Sequence, residues 1–134
     1  MSELIVFPDV EALLVAHIKS ELASKFHDTV SIATRSPKPT QANYVRLFVT
    51  GGARRSLAQD APMVTVESYG PTEVAASRRA GNIRAIIHAL DQIESVQFYT
   101  PEEGGRPVNL PDTATGRIRY TATYRIPYRG YAVS

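Results

Sequence analysis

The side chains of this sequence that could move a proton or hold a metal are few. They are His17, His27 and His88, with the adjacent acids Glu102 and Glu103. A helical metal pair needs two histidines four residues apart, and no two histidines here have that spacing. His17 falls on the apolar side of a helix-like stretch, where packing at the core boundary is the better reading. Neighbouring carboxylates point apart on a strand, and in a loop they are more often solvated than catalytic. With no cysteine present, disulfides, thiolate chemistry and sulfur-based zinc sites are all removed. "GGARRS" at 51–56 has glycines and cations, but a phosphate loop also needs a helix start behind it, and no helical pattern follows. Neither a dinucleotide fingerprint nor a Gly-x-Ser-x-Gly elbow occurs. The expectation is a non-enzyme with no catalytic residue, metal or cofactor.

The remaining chemistry is carried by arginine, which supplies 12 of the 15 basic residues of a chain with net charge +2. The charge is uneven. Residues 1–34 are acidic on balance, while 35–60 hold Arg35, Lys38, Arg46, Arg54 and Arg55 against Asp60 alone. Arginine's planar fork suits fixed, bidentate contacts and is enriched at protein interfaces and on phosphate. A nucleic-acid patch could be assembled from Arg54, Arg55, Arg78, Arg79 and the arginines of the last strand. A sheet that binds single strands, however, interleaves aromatics with its cations. Here Tyr120, Tyr124 and Tyr128 alternate against Arg117, Arg119 and Arg125. A small basic nucleic-acid-binding domain is therefore the alternative reading.

The elements that position these residues follow from periodicity. With 134 residues, 43% hydrophobic and 21% charged, the chain suits one soluble domain, 1–134, with one core. Val10, Leu13, Leu14, Ile18 and Leu22 share a helical face, with Pro8, Asp9 and Glu11 suited to its start. "TVSIAT", "YVRLFVT" and "MVTVESY" read as strands. Between the last two, residues 51–62 read as a long basic loop, where two residues would suffice for a hairpin. Val74, Ile83, Ile86, Ile87 and Leu90 give a second helix its apolar stripe, with Gly81 inside it. "SVQFYT" reads as a strand, and "PEEGGRPVNLPDTATG" as another loop. "RIRYTATYRIPY" alternates strictly, as a half-buried antiparallel strand does. At about 3.3 Å per residue it would reach roughly 40 Å, so it must bend, as at Pro127, or protrude. Pro127 also suggests a sheet edge there. The order α-β-β-β-α-β-β predicts an α+β fold, a mainly antiparallel sheet with two helices on one face. The first residues lack a secretory pattern and no apolar run approaches a membrane span, so no membrane partner is expected.

"FPDVEALLVAHI", "YVRLFVTGG", "VTVESYG" and "NLPDTATGRIRYTATYRIPYRG" together resemble the tail terminator proteins of long-tailed phages, particularly those of actinobacteria. The likeness runs through nearly the whole chain in one order; Tyr69 departs from the tryptophan more usual there. The resemblance implies a virion structural protein of the phage tail and neck, assembled in the host cytoplasm. Its subunits close into a homo-oligomeric ring, usually a hexamer, on the head-proximal end of the tail tube. The implied partners are the major tail tube protein below and the head–tail connector or stopper above, with genomic DNA crossing the lumen without tight binding. On this view residues 51–62 form a mobile arm. Gly51 and Gly52 let it leave the sheet, Arg54 and Arg55 pair with acids of a neighbour, and Arg117, Arg119 and Arg125 join the ring or tube interface. Another neck or minor tail protein of related fold would fit the same residues.

Overall fold

The computed structural model describes residues 3–39 and 41–133 of the chain. It is an α+β fold of ten strands and two helices among those residues. The main sheet runs in the order β2 (Ser31–Ala33), β3 (Tyr44–Arg54), β4 (Gln59–Tyr69), β8 (Arg119–Arg125), β7 (Glu102–Asn109). Every pairing in it is antiparallel except the short parallel one between β2 and β3. Helices α1 (Val10–Phe26) and α2 (Glu73–His88) cover one face. That face carries Val45 and Leu47 of β3, Val64 and Val66 of β4, and Ala122 and Tyr124 of β8, all buried against Leu14, Ile18, Leu22, Ile83 and Ile87. The pattern is the two-residue period of strands meeting the helical period, which is why one face closes over a core and the other stays polar.

Both helices begin as their sequences dictate. Asp9 accepts the Ala12 N–H and Thr72 accepts the Ala75 N–H, each capping an orphan donor. Helix α1 stops where His27 turns left-handed. In α2 the buried stripe is Ala76, Ala80, Ile83, Ile86 and Ile87. Val74, expected in that stripe, is 65% exposed, because two residues of helix, about 200° of turn, put it nearly opposite Ala76, where the buried stripe begins. Gly81 faces open space, so no close approach explains it.

The expected loop 51–62 is a ladder. β3 and β4 stay paired from Tyr44↔Tyr69 to Arg54↔Asp60, leaving only residues 55–58 as the tip. A bulge between Val49 and Gly51 shifts the register and turns the hairpin. Gly51 and Gly52 have φ of 153° and 101°, a backbone that L side chains rarely adopt. A Cβ on Gly52 would lie 2.4 Å from the Ala61 carbonyl oxygen. The glycines do let the chain leave a regular path, but into a strand rather than a mobile arm.

Three further readings change. The proline- and glycine-rich stretch after Thr100 holds β7, whose two register shifts absorb its irregular residues. "SVQFYT" gives only the two-residue β6 (Val96–Gln97), paired with β5 (Gln92–Ile93), and a bridge from Phe98 to Tyr128. The last long strand breaks at Pro127, which is fully buried rather than at an edge. Beyond it, β9 (Tyr128–Arg129) pairs with the distal end of β4, so the alternating segment bends and stays on the sheet. Finally β1 (Leu4–Val6) pairs with β10 (Tyr131–Val133), a ribbon joining opposite ends of the sequence.

The Gly52 geometry has a direct consequence. Gly52→Ala is expected to lower the free energy of unfolding by about 2 kcal/mol, from the strained φ and the backbone clash together. Urea unfolding of Gly52→Ala beside Gly51→Ala, which meets no neighbouring atom, should show the larger loss at Gly52.

Candidate assembly surface

The arginines singled out from sequence separate into two groups along the sheet, all but Arg54 away from the helices; Arg54 sits over Phe7, which packs on the core. At the β2 end of the strands, Arg46 and Arg119 each reach Glu67, with N–O distances of 3.2 Å and 3.2 Å. Glu67 is buried, and buried charged groups are ordinarily paired in this way. Arg119 also donates to the Leu110 carbonyl, and Arg117 to that of Gln41 at 2.6 Å. Tyr44 and Tyr69 stack beside them with ring centroids 4.2 Å apart, and the Tyr69 hydroxyl meets Asp112 at 3.2 Å. Burial pushes the Tyr69 phenol well up, so it stays protonated and can donate.

At the hairpin end, Arg55 pairs with Glu102 at 2.9 Å. Arg125 lies opposite Glu102 in the ladder and opposite Met63 on the other side. Arg54 donates to the Leu57 carbonyl and sits over the Phe7 ring at 5.2 Å. So Arg54, Arg55, Arg117 and Arg119, expected to reach neighbouring proteins, spend hydrogen bonds inside their own chain. Gly51 and Gly52 shape the hairpin. The two arginine groups are four residues apart along β4, from Met63 to Glu67, which is roughly 13 Å.

Arg79 and Arg84 repeat the pattern on the helical side. Arg79 holds Asp28 through two nitrogens at 2.6 and 3.1 Å, and also reaches Asn43 and the Tyr69 carbonyl. Arg84 and His88 both bond Glu103, the latter at 3.0 Å. Because β7 is a strand, Glu102 and Glu103 point to opposite faces. Each is taken by a different arginine, where a solvated loop pair was expected. All the side-chain donors to Glu103 are arginine or histidine, which makes it an anchor for α2. Among the described residues no group of three or more His, Cys, Asp or Glu could hold a metal, and no helix is long and apolar enough to cross a membrane.

What sequence reading missed is apolar surface and a bare edge. Strand β2 pairs with β3 only at residues 44–46, so the outer edge of β3 from Leu47 to Arg54 has no strand beside it among the described residues. One outward amide there, that of Val49, is met by the Glu11 carboxylate at 2.8 Å. At the same end of the molecule Leu4, Val6, Leu57, Tyr131 and Val133 are exposed. The Gly130 N–H donates to the Ala58 carbonyl at 2.9 Å, which ties the hairpin tip to the β1–β10 ribbon. The available signal was the two-residue spacing of Leu4 with Val6 and of Tyr131 with Val133.

No protein-family model matches the chain, and no curated relative is significantly similar to it.

The carboxylates give a pH dependence. Hydrogen bonds from Arg84, then His88, hold the Glu103 carboxyl below its usual range. Burial opposes ionisation of Asp112, but bonds from the Ala114 amide, Tyr69 and Thr115 outweigh it and also hold that carboxyl low. A depressed folded pKa stabilises above the unfolded value, near about 4 for these groups, and the contribution is lost as pH falls through the folded pKa. The urea midpoint should therefore fall on acidification below about pH 4. Glu103→Gln should flatten part of that fall; an unchanged profile would show that Glu103 gains nothing from Arg84 and His88.

Proposed function

We propose that this chain is a virion structural subunit, a tail-terminator-like protein that closes into a ring on the head-proximal end of a phage tail tube. The ring, a hexamer on the family resemblance, stops tube polymerisation and presents a surface to the head connector. The observation that carries the reading is the unpaired outer edge of β3, from Leu47 to Arg54, on a hairpin held rigid to its tip. Open edges invite another chain to add a strand, and folded proteins ordinarily cover or blunt them. A subunit that leaves this edge without a partner strand, capped only at the Val49 amide by Glu11 and flanked by exposed Leu57 and Val49, is suited to assembly.

The resemblance supports this from a second side. Its quoted segments are contiguous in space: β3, β4 and β8 are adjacent strands, and α1 packs on β3. They form the body that carries the hairpin. Much of the arginine charge is engaged with Glu67, Glu102, Glu103 and Asp28 inside the subunit. That leaves less of it to grip phosphates, which suits a lumen DNA must cross, since each arginine–phosphate contact adds salt-dependent affinity.

Electron microscopy of the chain mixed with tail tube protein should show rings or capped, short tubes, and the same preparation should retain no duplex DNA on a filter at near-physiological salt. The double variant Arg54→Glu with Arg55→Glu frees the tip and sets a like charge against Glu102. The exposed Arg55–Glu102 pair is worth under about 1 kcal/mol, so the variant should stay folded and fail to cap. Tubes that grow unchecked with wild-type chain present, or tight DNA retention, would contradict the proposal.

A further inference from the structure

On the reading proposed above, the outer edge of β3 is where another chain joins. From Val49 onward, three amides of β3 point away from β4. Val49 is one, because its N–H goes to the Glu11 carboxylate at 2.8 Å. The Arg55 N–H turns inward to the Gln59 carbonyl, so alternation directs those of Arg54 and Gly52 outward. Gly52 also stands opposite Pro62, which has no N–H to exchange with it. Residues 49–54 are all exposed. Of the three outward amides, only that of Val49 has a side chain on it.

Glu11 reaches that amide from the second residue of α1. A carboxylate in a first turn ordinarily favours its own helix end, but Asp9 already accepts the Ala12 N–H there. Glu11 crosses to β3 instead. Adjacent strands lie about 4.8 Å apart. A carboxylate oxygen 2.8 Å from the Val49 nitrogen stands inside that lane, where the carbonyl oxygen of a joining strand would have to be. No strand pairs across Val49 until Glu11 leaves. With Glu11 in place the edge offers only the Gly52 and Arg54 amides, too short a run to hold a strand by itself. The bond is charge-assisted and so stronger than a neutral one. It also lies in solvent, so a chain that brings several bonds at once displaces it.

The chain that would pair there without such a block is a second copy. At the other end of the main sheet, β7 carries Pro107 and two register shifts, devices that blunt an edge. β1, β2 and β10 are three residues each. Among the described residues the edge of β3 is therefore the longest without a proline, and its mate on a second copy is the same edge, antiparallel about a two-fold axis. Arg54 of each copy would then lie toward Val49 of the other, so no like charges meet to oppose the pairing. A two-fold pair consumes both edges and closes on itself, which excludes a head-to-tail ring through them. We infer that Glu11 guards the β3 edge: it holds the Val49 amide so that free subunits do not pair edge to edge, and yields it to a strand of the proper partner. The inference rests on the β3 edge being the joining surface, and not on the partner being a tail tube.

Amide hydrogen exchange and sedimentation of the full chain test the guard. In dilute wild type the Val49 amide should be protected at least tenfold more than those of Gly52 and Arg54. Glu11→Ala should erase that difference, with circular dichroism unchanged. At higher concentration the same variant should protect all three amides together, and sediment as a dimer at least tenfold below any concentration at which wild type pairs. Glu11→Asp keeps the charge at the start of α1 but is one methylene short of Val49, so it should pair as Glu11→Ala does. Glu11→Gln keeps an acceptor oxygen at the same reach and should behave as wild type. Variants Glu11→Ala and Glu11→Asp that pair no more readily than wild type would overturn the inference, as would Val49 protection that survives both. Pairing of Glu11→Ala beside a wild type that never caps tubes leaves the guard standing and removes the tail reading. No pairing beside a wild type that caps them does the reverse.

Discussion

The structure turns on the bulge at Thr50 and the two glycines after it. Up to Arg46, β3 is an interior strand with β2 on one side and β4 on the other. Beyond that point β2 has ended, yet the β3–β4 ladder continues for eight more residues of β3. A regular strand there would have to follow the twist of the sheet. The bulge and the positive φ values at Gly51 and Gly52 allow a different course. What results is a long hairpin with one side sealed by β8 and β9 and the other with no strand beside it among the described residues. The bare side follows from the fold; an assembly role for it is the reading we propose.

The charged residues brace that shape. Arg79 ties the end of α1 to α2 and to the edge of the sheet, Arg84 ties α2 to β7, and Arg55 ties the hairpin tip to β7. Arg46 and Arg119 span three strands through Glu67. The exposed one among them, Arg55–Glu102, contributes little stability by itself. Their geometry still matters, because planar bidentate groups fix where elements sit relative to one another. A chain rich in arginine over lysine can thus be making contacts with itself, and the excess says nothing on its own about an acidic partner.

Periodicity made much of the fold legible. Helix α1, the starts of β3 and β4, and the alternation of β8 all follow from the spacing of apolar residues. The loops expected at 51–62 and after Thr100 failed for one cause, since glycine and proline were taken as ends of strands. Gly51, Gly52 and Pro62 sit inside a ladder whose bulge absorbs them, and Gly104, Gly105 and Pro107 sit in β7 for the same reason. Met63 and Thr123 crowd the position of Gly104 so closely that a side chain would have to displace them, a constraint visible only with the strands in place. The β1–β10 ribbon left only the two-residue spacings of Leu4 with Val6 and of Tyr131 with Val133 as a trace, because its pairing joins the first strand to the last. As candidates, the sequence offered Gly51, Gly52 and the arginines. It missed the apolar set of Leu4, Val6, Leu57, Tyr131 and Val133, because nothing local tells an exposed apolar strand from a buried one.

The central claim is that the outer edge of β3 is where another chain joins this one. Amide hydrogen exchange across Leu47–Arg54, compared between the free chain and the chain bound at tube ends, tests it most directly. The account predicts fast exchange of the outward amides other than that of Val49, which Glu11 holds, in the free chain and at least tenfold slower exchange in the assembled particle, with the buried strand β4 unchanged. Assembled particles in which those amides exchange as fast as in the free chain would contradict it.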